Sequence, residues 1–174
     1  MVRGTVFILL FAFFRMSLAI ELKVESQCPY PIWLATLPNY GISDLPDGVV
    51  MLNSGSSYTY MIPNIGWAGR FWPKTGCDST GYNCEFGDSI PPCPDGGCHP
   101  PADTKVEFNF PSQPPSQDSW YDISLVDGYS LPMKIVPRGI NDGACVPTTC
   151  SMSLGTYHTL GQNCFCGCVI FVLV

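Results

Sequence analysis

The chain is short of charge, and of positive charge above all. Charged residues make up 13% of its 174 residues, with 8 Lys and Arg against 14 Asp and Glu. A net charge of −6 leaves no basic surface for nucleic acid or anionic lipid, whose phosphates need lysine and arginine. Long apolar runs are also lacking. The one near the start, Thr5 to Phe14, falls short of the roughly 20 residues that span a bilayer. There are two histidines, His99 and His158. Neither has a flanking motif, so both are assigned to surface loops. Cys93 and Cys98 do not have CxxC spacing, which speaks against structural zinc. There is no phosphate loop, no recognisable nucleophile elbow and no Asn-x-Ser/Thr sequon. No long stretch has the helical period, and no metal or cofactor is implied.

What is present fits an exported protein. Arg3 supplies a positive start, Thr5 to Phe14 an apolar stretch, and Ser17 and Ala19 small residues at the spacing of a cleavage site. Residues 1–19 therefore read as a secretory signal peptide, and the expected location is extracellular. Arg15 is an unusual residue at its place. Losing Arg3 and Arg15 with the leader makes the mature charge −8. Such a surface suits a neutral polysaccharide or a basic partner. Ten cysteines, in an oxidising compartment, are expected to pair, although spacing alone does not fix the connectivity.

Seventeen glycines and seventeen prolines punctuate short runs of strand character, which argues for an all-β sandwich or barrel. Glu21 to Ser26 alternates, with Leu22 and Val24 on one face. Further strands are expected at Ile32 to Leu34, Ser57 to Ile62 and Arg70 to Trp72. The segment 78–103, rich in Cys, Gly, Pro and Asp, reads as disulfide-held loops. Lys105 to Phe110 alternates strictly, with Val106, Phe108 and Phe110 inward and Lys105, Glu107 and Asn109 outward. Tyr121 to Leu125 alternates in the same way. Asp127-Gly128 then looks like a hairpin turn, with Tyr129 to Val136 as the return strand. Residues 155–174 change character: a stretch of little pattern, then Cys164-Phe165-Cys166-Gly167-Cys168, then the apolar run Val169 to Val174. They read as a tail separate from the domain.

Several blocks resemble the thaumatin-like family, the pathogenesis-related group that includes osmotin-like and zeamatin-like proteins. They are Ile20 to Trp33 (IELKVESQCPYPIW), Leu52-Asn53-Ser54-Gly55, Gly69 to Cys77 (GRFWPKTGC) and Tyr121 to Met133 (YDISLVDGYSLPM). Their order and spacing cover about residues 20–154. The loop from Cys84 to Cys98 is most similar to that of nematode members. The resemblance implies an antiparallel β-sandwich of the thaumatin-like type. It departs at Gly87-Asp88, where plant members continue with Cys and this chain has Ser89. It also implies that the family's second half is missing, together with the final strand that returns to the first cysteine. Cys28, Cys145 and Cys150 would then have to pair with Cys164, Cys166 or Cys168, or stay unpaired. Local bridges Cys77–Cys84 and Cys93–Cys98 are expected.

The family's cleft carries an arginine, a glutamate and three aspartates, and the resemblance carries these roles onto Arg70, Glu107, Asp122 and Asp127. The third aspartate would lie in the missing half. The residues make chemical sense without the family. Glu107 and Asp122 each lie on the polar side of an alternating strand, and Arg70 suits a forked hydrogen bond to a carboxylate. Carboxylates beside Tyr and Trp suit hydrogen bonding to sugar hydroxyls and stacking on sugar faces. The resemblance implies a secreted defence protein, monomeric when correctly paired, that binds β-glucan or another microbial surface polymer. Two rival readings stand beside it. One is a weak endo-β-1,3-glucanase using Glu107 and Asp122. The other is a truncated isoform with little activity. The plainer reading of the same residues makes Asp127 a turn residue and Glu107 a solvated strand face.

Overall fold

The computed structural model describes residues 20–46, 48–88, 103–112, 118–138, 147–150 and 169–173. The expected leader, the Cys93–Cys98 bridge, both histidines and Cys145, Cys164, Cys166 and Cys168 lie outside them. Ten strands form two five-stranded sheets, and no helix occurs among the described residues. The first sheet holds β1 (Ile20–Ser26), β4 (Ser57–Ile62), β8 (Met133–Pro137), β9 (Thr148–Cys150) and β10 (Val169–Leu173), in the order β4-β1-β10-β8-β9. The second holds β2 (Ile32–Pro38), β3 (Val49–Leu52), β5 (Trp67–Lys74), β6 (Lys105–Phe110) and β7 (Trp120–Ser124), in the order β3-β2-β5-β6-β7. The all-β expectation is met.

The alternation read from the sequence settles which faces meet. Leu22 and Val24 of β1 and Val106, Phe108 and Phe110 of β6 are buried in one hydrophobic core. The core is aromatic where the sheets touch. Phe71 of β5 stacks edge-on against Tyr60 of β4 and Phe171 of β10, with ring centroids 5.2 and 5.5 Å apart. Phe108 meets Phe171 at 5.7 Å. Edge-to-face pairs of this kind contribute about 0.5–1.5 kcal/mol each beyond the area they bury.

Two sequence expectations are corrected. The first is the tail. Val169–Leu173 is the middle strand of its sheet, antiparallel to β1 (Val24 opposite Phe171) and parallel to β8 (Ile135 opposite Phe171). An unbroken apolar run is what a strand covered on both faces requires, and Phe171 and Val172, which point to opposite faces, are both buried. A strand returning to the neighbourhood of the first cysteine is therefore present. Cys28 itself is fully buried and disulfide-bonded.

The second correction is the hairpin. β7 pairs with β6, and β8 pairs with β10 and β9 in the other sheet. The chain crosses between sheets after Ser124 instead of turning back. Thr104 and Ser130 hold the crossing, each backbone N–H donating to the other's side-chain hydroxyl at 3.2 and 3.0 Å. Pro132 has no N–H to offer a return ladder.

The loop after β5 lies back over the outer face of the second sheet. The Cys77–Cys84 bridge closes it, as expected. Lys74, fully buried, donates to the Gly81 carbonyl at 2.6 Å, and Trp72 Nε1 donates to the Gly87 carbonyl at 3.1 Å. Burial pushes the Lys74 pKa down, against the pull of Asp88 and Asp78. Gly81 has φ +81°, and a Cβ there would come within 2.7 Å of the Trp33 ring, so only glycine seats the loop so closely. Asp78 accepts from the Thr80 and Tyr82 amides, the Thr80 hydroxyl and the Asn83 amide. These donors hold its carboxyl far below the usual range, the Thr80 hydroxyl most of all.

Candidate functional site

Strand register brings three of the four candidate residues into one row. Arg70 on β5 pairs with Glu107 on β6, and Glu107 pairs with Asp122 on β7. Residues directly opposite share a face, with Cβ atoms about 4.5–5.5 Å apart. That face is the outer one, because Phe71, Phe108 and their alternates point into the core. Glu107 is half-buried and Asp122 exposed. Partial burial raises the pKa of both. For Glu107 the Asp122 charge raises it further and Asp127 adds to this, while Arg70 and Lys105 pull it down.

Asp127 is held beside the row by a residue that the alternation placed in solvent. Lys105 is buried, 2% exposed, and its Nζ lies 2.7 Å from Asp127 Oδ2. The ion pair at the site is thus made by Lys105, where a fork from Arg70 was expected. The alternation gave the correct face for Lys105, but not that the crossing segment 125–131 would cover that end of the face. Asp103, two residues before Lys105, is likewise buried. Its burial raises its pKa, opposed by the Lys105 charge and a hydrogen bond with Ser130. Its Oδ2 has no hydrogen-bond partner among the described residues.

Sequence reasoning missed two further features. Trp120 begins β7 and is 50% exposed, two residues from Asp122 on the same face. A cavity of about 690 Å³ lies beyond the end of β5, lined by Tyr30, Trp33, Phe86, Tyr129 and the Cys77 loop. No residue of the charged row lines it. Among the described residues no group of three or more His, Cys, Asp and Glu could hold a metal ion, and no helix is long and apolar enough to cross a membrane.

Residues 26–169 match the model of the Thaumatin family. The chain belongs to that family. It is similar to Thaumatin-like protein 1 of Arabidopsis thaliana, 34% identical over 143 residues, covering 76% of this chain and 54% of the relative. It is similar to the Glucan endo-1,3-beta-glucosidase of Prunus avium, 37% identical over 140 residues, with 76% and 54% covered. It is also similar to Pathogenesis-related protein 5 of Arabidopsis thaliana, 36% identical over 140 residues, with 79% and 56% covered. This thaumatin-family chain spans about half the length of these curated relatives. Its register sets Arg70, Glu107 and Asp122 side by side on one sheet, and Lys105 holds Asp127 of the crossing segment beside them.

Proposed function

We infer that the chain is a secreted defence protein that binds β-glucan, or another neutral polymer of a microbial surface, through the row Arg70–Glu107–Asp122 and the adjoining Asp127. The observation that carries this reading is the register, which lines up a cation and two carboxylates across three neighbouring strands. Carboxylates accept hydrogen bonds from vicinal hydroxyls, and a guanidinium donates to ring and hydroxyl oxygens. The same negative row repels phosphate-bearing and other anionic polymers. The similarity to Pathogenesis-related protein 5 supports the defence assignment. The test is co-sedimentation with insoluble β-1,3-glucan. The secreted chain is expected in the pellet, and Glu107→Gln and Asp122→Asn are each expected to reduce it. Retention equal to that on an unrelated insoluble polymer would overturn the reading.

A second reading is a weak endo-β-1,3-glucanase. It is favoured by two carboxyls set directly opposite each other on β6 and β7, the arrangement that an acid and its partner carboxylate need, and partial burial raises the pKa of both. The relative named as a glucan endo-1,3-beta-glucosidase supports it too. In that case Glu107 is the acid and Asp122 the partner carboxylate. Reducing sugar released from linear β-1,3-glucan, and abolished by Glu107→Gln, separates hydrolysis from binding alone.

A further inference from the structure

Trp120, like Trp33 and Trp72, is a large aromatic of the second sheet outside the core cluster, but the loop that packs on those two does not cover it. The rings of Trp67, Phe71, Phe108 and Phe110 belong to the buried cluster, whereas Trp120 leaves half its surface to solvent. A single exposed apolar residue is ordinary on a protein surface. Its register is what makes this one informative. Trp120 pairs with Asn109, and Asn109 pairs with Ala68. This second row runs beside the first on the same face, because Ala68, Asn109 and Trp120 each stand two residues from Arg70, Glu107 and Asp122. A half-exposed indole thus has a short methyl and a carboxamide along its row, and carboxylates on the next. Among the described residues Trp120 also stands on β7, the edge strand of its sheet.

We propose that Trp120 and Asn109 form a sugar-ring subsite contiguous with the charged row, taking the flat apolar face of one glucosyl residue of a neutral β-linked glucan while the next residue is hydrogen-bonded by Glu107 and Asp122. The proposal rests on the glucan-binding reading and adds to it the direction of the chain. The polymer runs across the two rows, along β6 and β7, because the indole and the carboxylates follow one another in that direction. The chemistry is complementary on both sides. One face of a pyranose is a patch of C–H bonds that matches an aromatic ring, and its rim is a belt of hydroxyls that matches carboxylates and an amide. An anionic polymer meets repulsion from Glu107, Asp122 and Asp127, and nothing in the row compensates an added phosphate except Arg70.

The experiment measures affinity for a soluble linear β-1,3-glucan by calorimetry, with wild type, Trp120→Ala, Trp120→Phe and Glu107→Gln, at low and high salt. The expected result is binding by wild type that salt barely changes, about tenfold weaker in Trp120→Ala and within about threefold in Trp120→Phe. Should Trp120→Ala not fold, Trp120→Thr, a strand-compatible residue without a ring, takes its place. Wild-type affinity in Trp120→Ala alongside a loss in Glu107→Gln would overturn the subsite and leave the glucan reading standing. No binding by wild type would remove both. Salt-sensitive binding to a lysine-rich peptide in place of the glucan would show that the face reads basic protein, and would overturn the proposal.

Discussion

Lys105 Nζ and Asp127 Oδ2 stand 2.7 Å apart, joining the first residue of β6 to the segment that crosses from one sheet to the other. The lysine is buried and the aspartate side chain 30% exposed. The pair positions Asp127 beside Glu107 and neutralises one of the carboxylates crowded there. Lys105→Met is expected to cost about 2–3 kcal/mol, below the usual loss for a wholly buried pair because water reaches Asp127. It should also raise the Glu107 pKa further by removing one of the two cations that lower it. Chemical denaturation and carboxyl NMR titration measure the two effects.

Glu107→Gln has a pH signature. A carboxyl whose pKa is raised by folding holds its proton more tightly folded than unfolded. Its contribution is therefore full below the unfolded value, about 4.3, and is lost as pH rises through the folded value. The substitution removes a carboxylate that the fold disfavours at neutral pH. Glu107→Gln is expected to match or slightly exceed wild-type stability at pH 7, by less than about 1 kcal/mol given its exposure, and to lose that advantage at pH 3. Thermal melts at the two pH values check this.

Phe171→Ala tests whether residues 169–173 belong to the domain. The ring is fully buried and meets both Phe71 and Phe108 across the two sheets. The expected loss is about 3–5 kcal/mol, a large share of a domain's net stability. A separate tail would register almost nothing in the same denaturation curve.

Opening the Cys77–Cys84 bridge, by Ser at both positions, is expected to cost about 2–3 kcal/mol from the loop-closure entropy of so short a ring. The loop should come away from Trp33 and Trp72 first. Hydrogen exchange at Gly81 and at the Trp72 indole N–H reports this locally, ahead of global unfolding.

Period-two patterns served well wherever one strand face meets the core and the other meets water. Lys105–Phe110 has the limits that its alternation suggests, and Ser57–Ile62 is a strand over the range expected for it. Val169–Leu173 escaped because a strand buried on both faces has no alternation to read, and an apolar run at a chain end looks like a tail. The hairpin at Asp127-Gly128 was misread because turn residues report a local bend. Which strand the chain joins afterwards is decided by Lys105 and Thr104, more than twenty residues away in sequence. The row Arg70–Glu107–Asp122 was visible as residue types on polar strand faces. Its alignment was not, since register between strands is a tertiary property. Trp120 lay in plain view next to Tyr121-Asp122 and lacked only the knowledge that its neighbours across the strand are short.

The place of β10 has a consequence for how the protein is made. Leu22 finds Tyr60 across one side of β1 early in synthesis, but its other neighbour is Leu173. The first sheet therefore stays open down its middle until residues 169–173 have emerged, and β1 and β8 each present an unpaired edge meanwhile. Such a high contact order implies slow folding, on the order of milliseconds to seconds. During that interval the half-built sheet is exposed to strand exchange with its own copies.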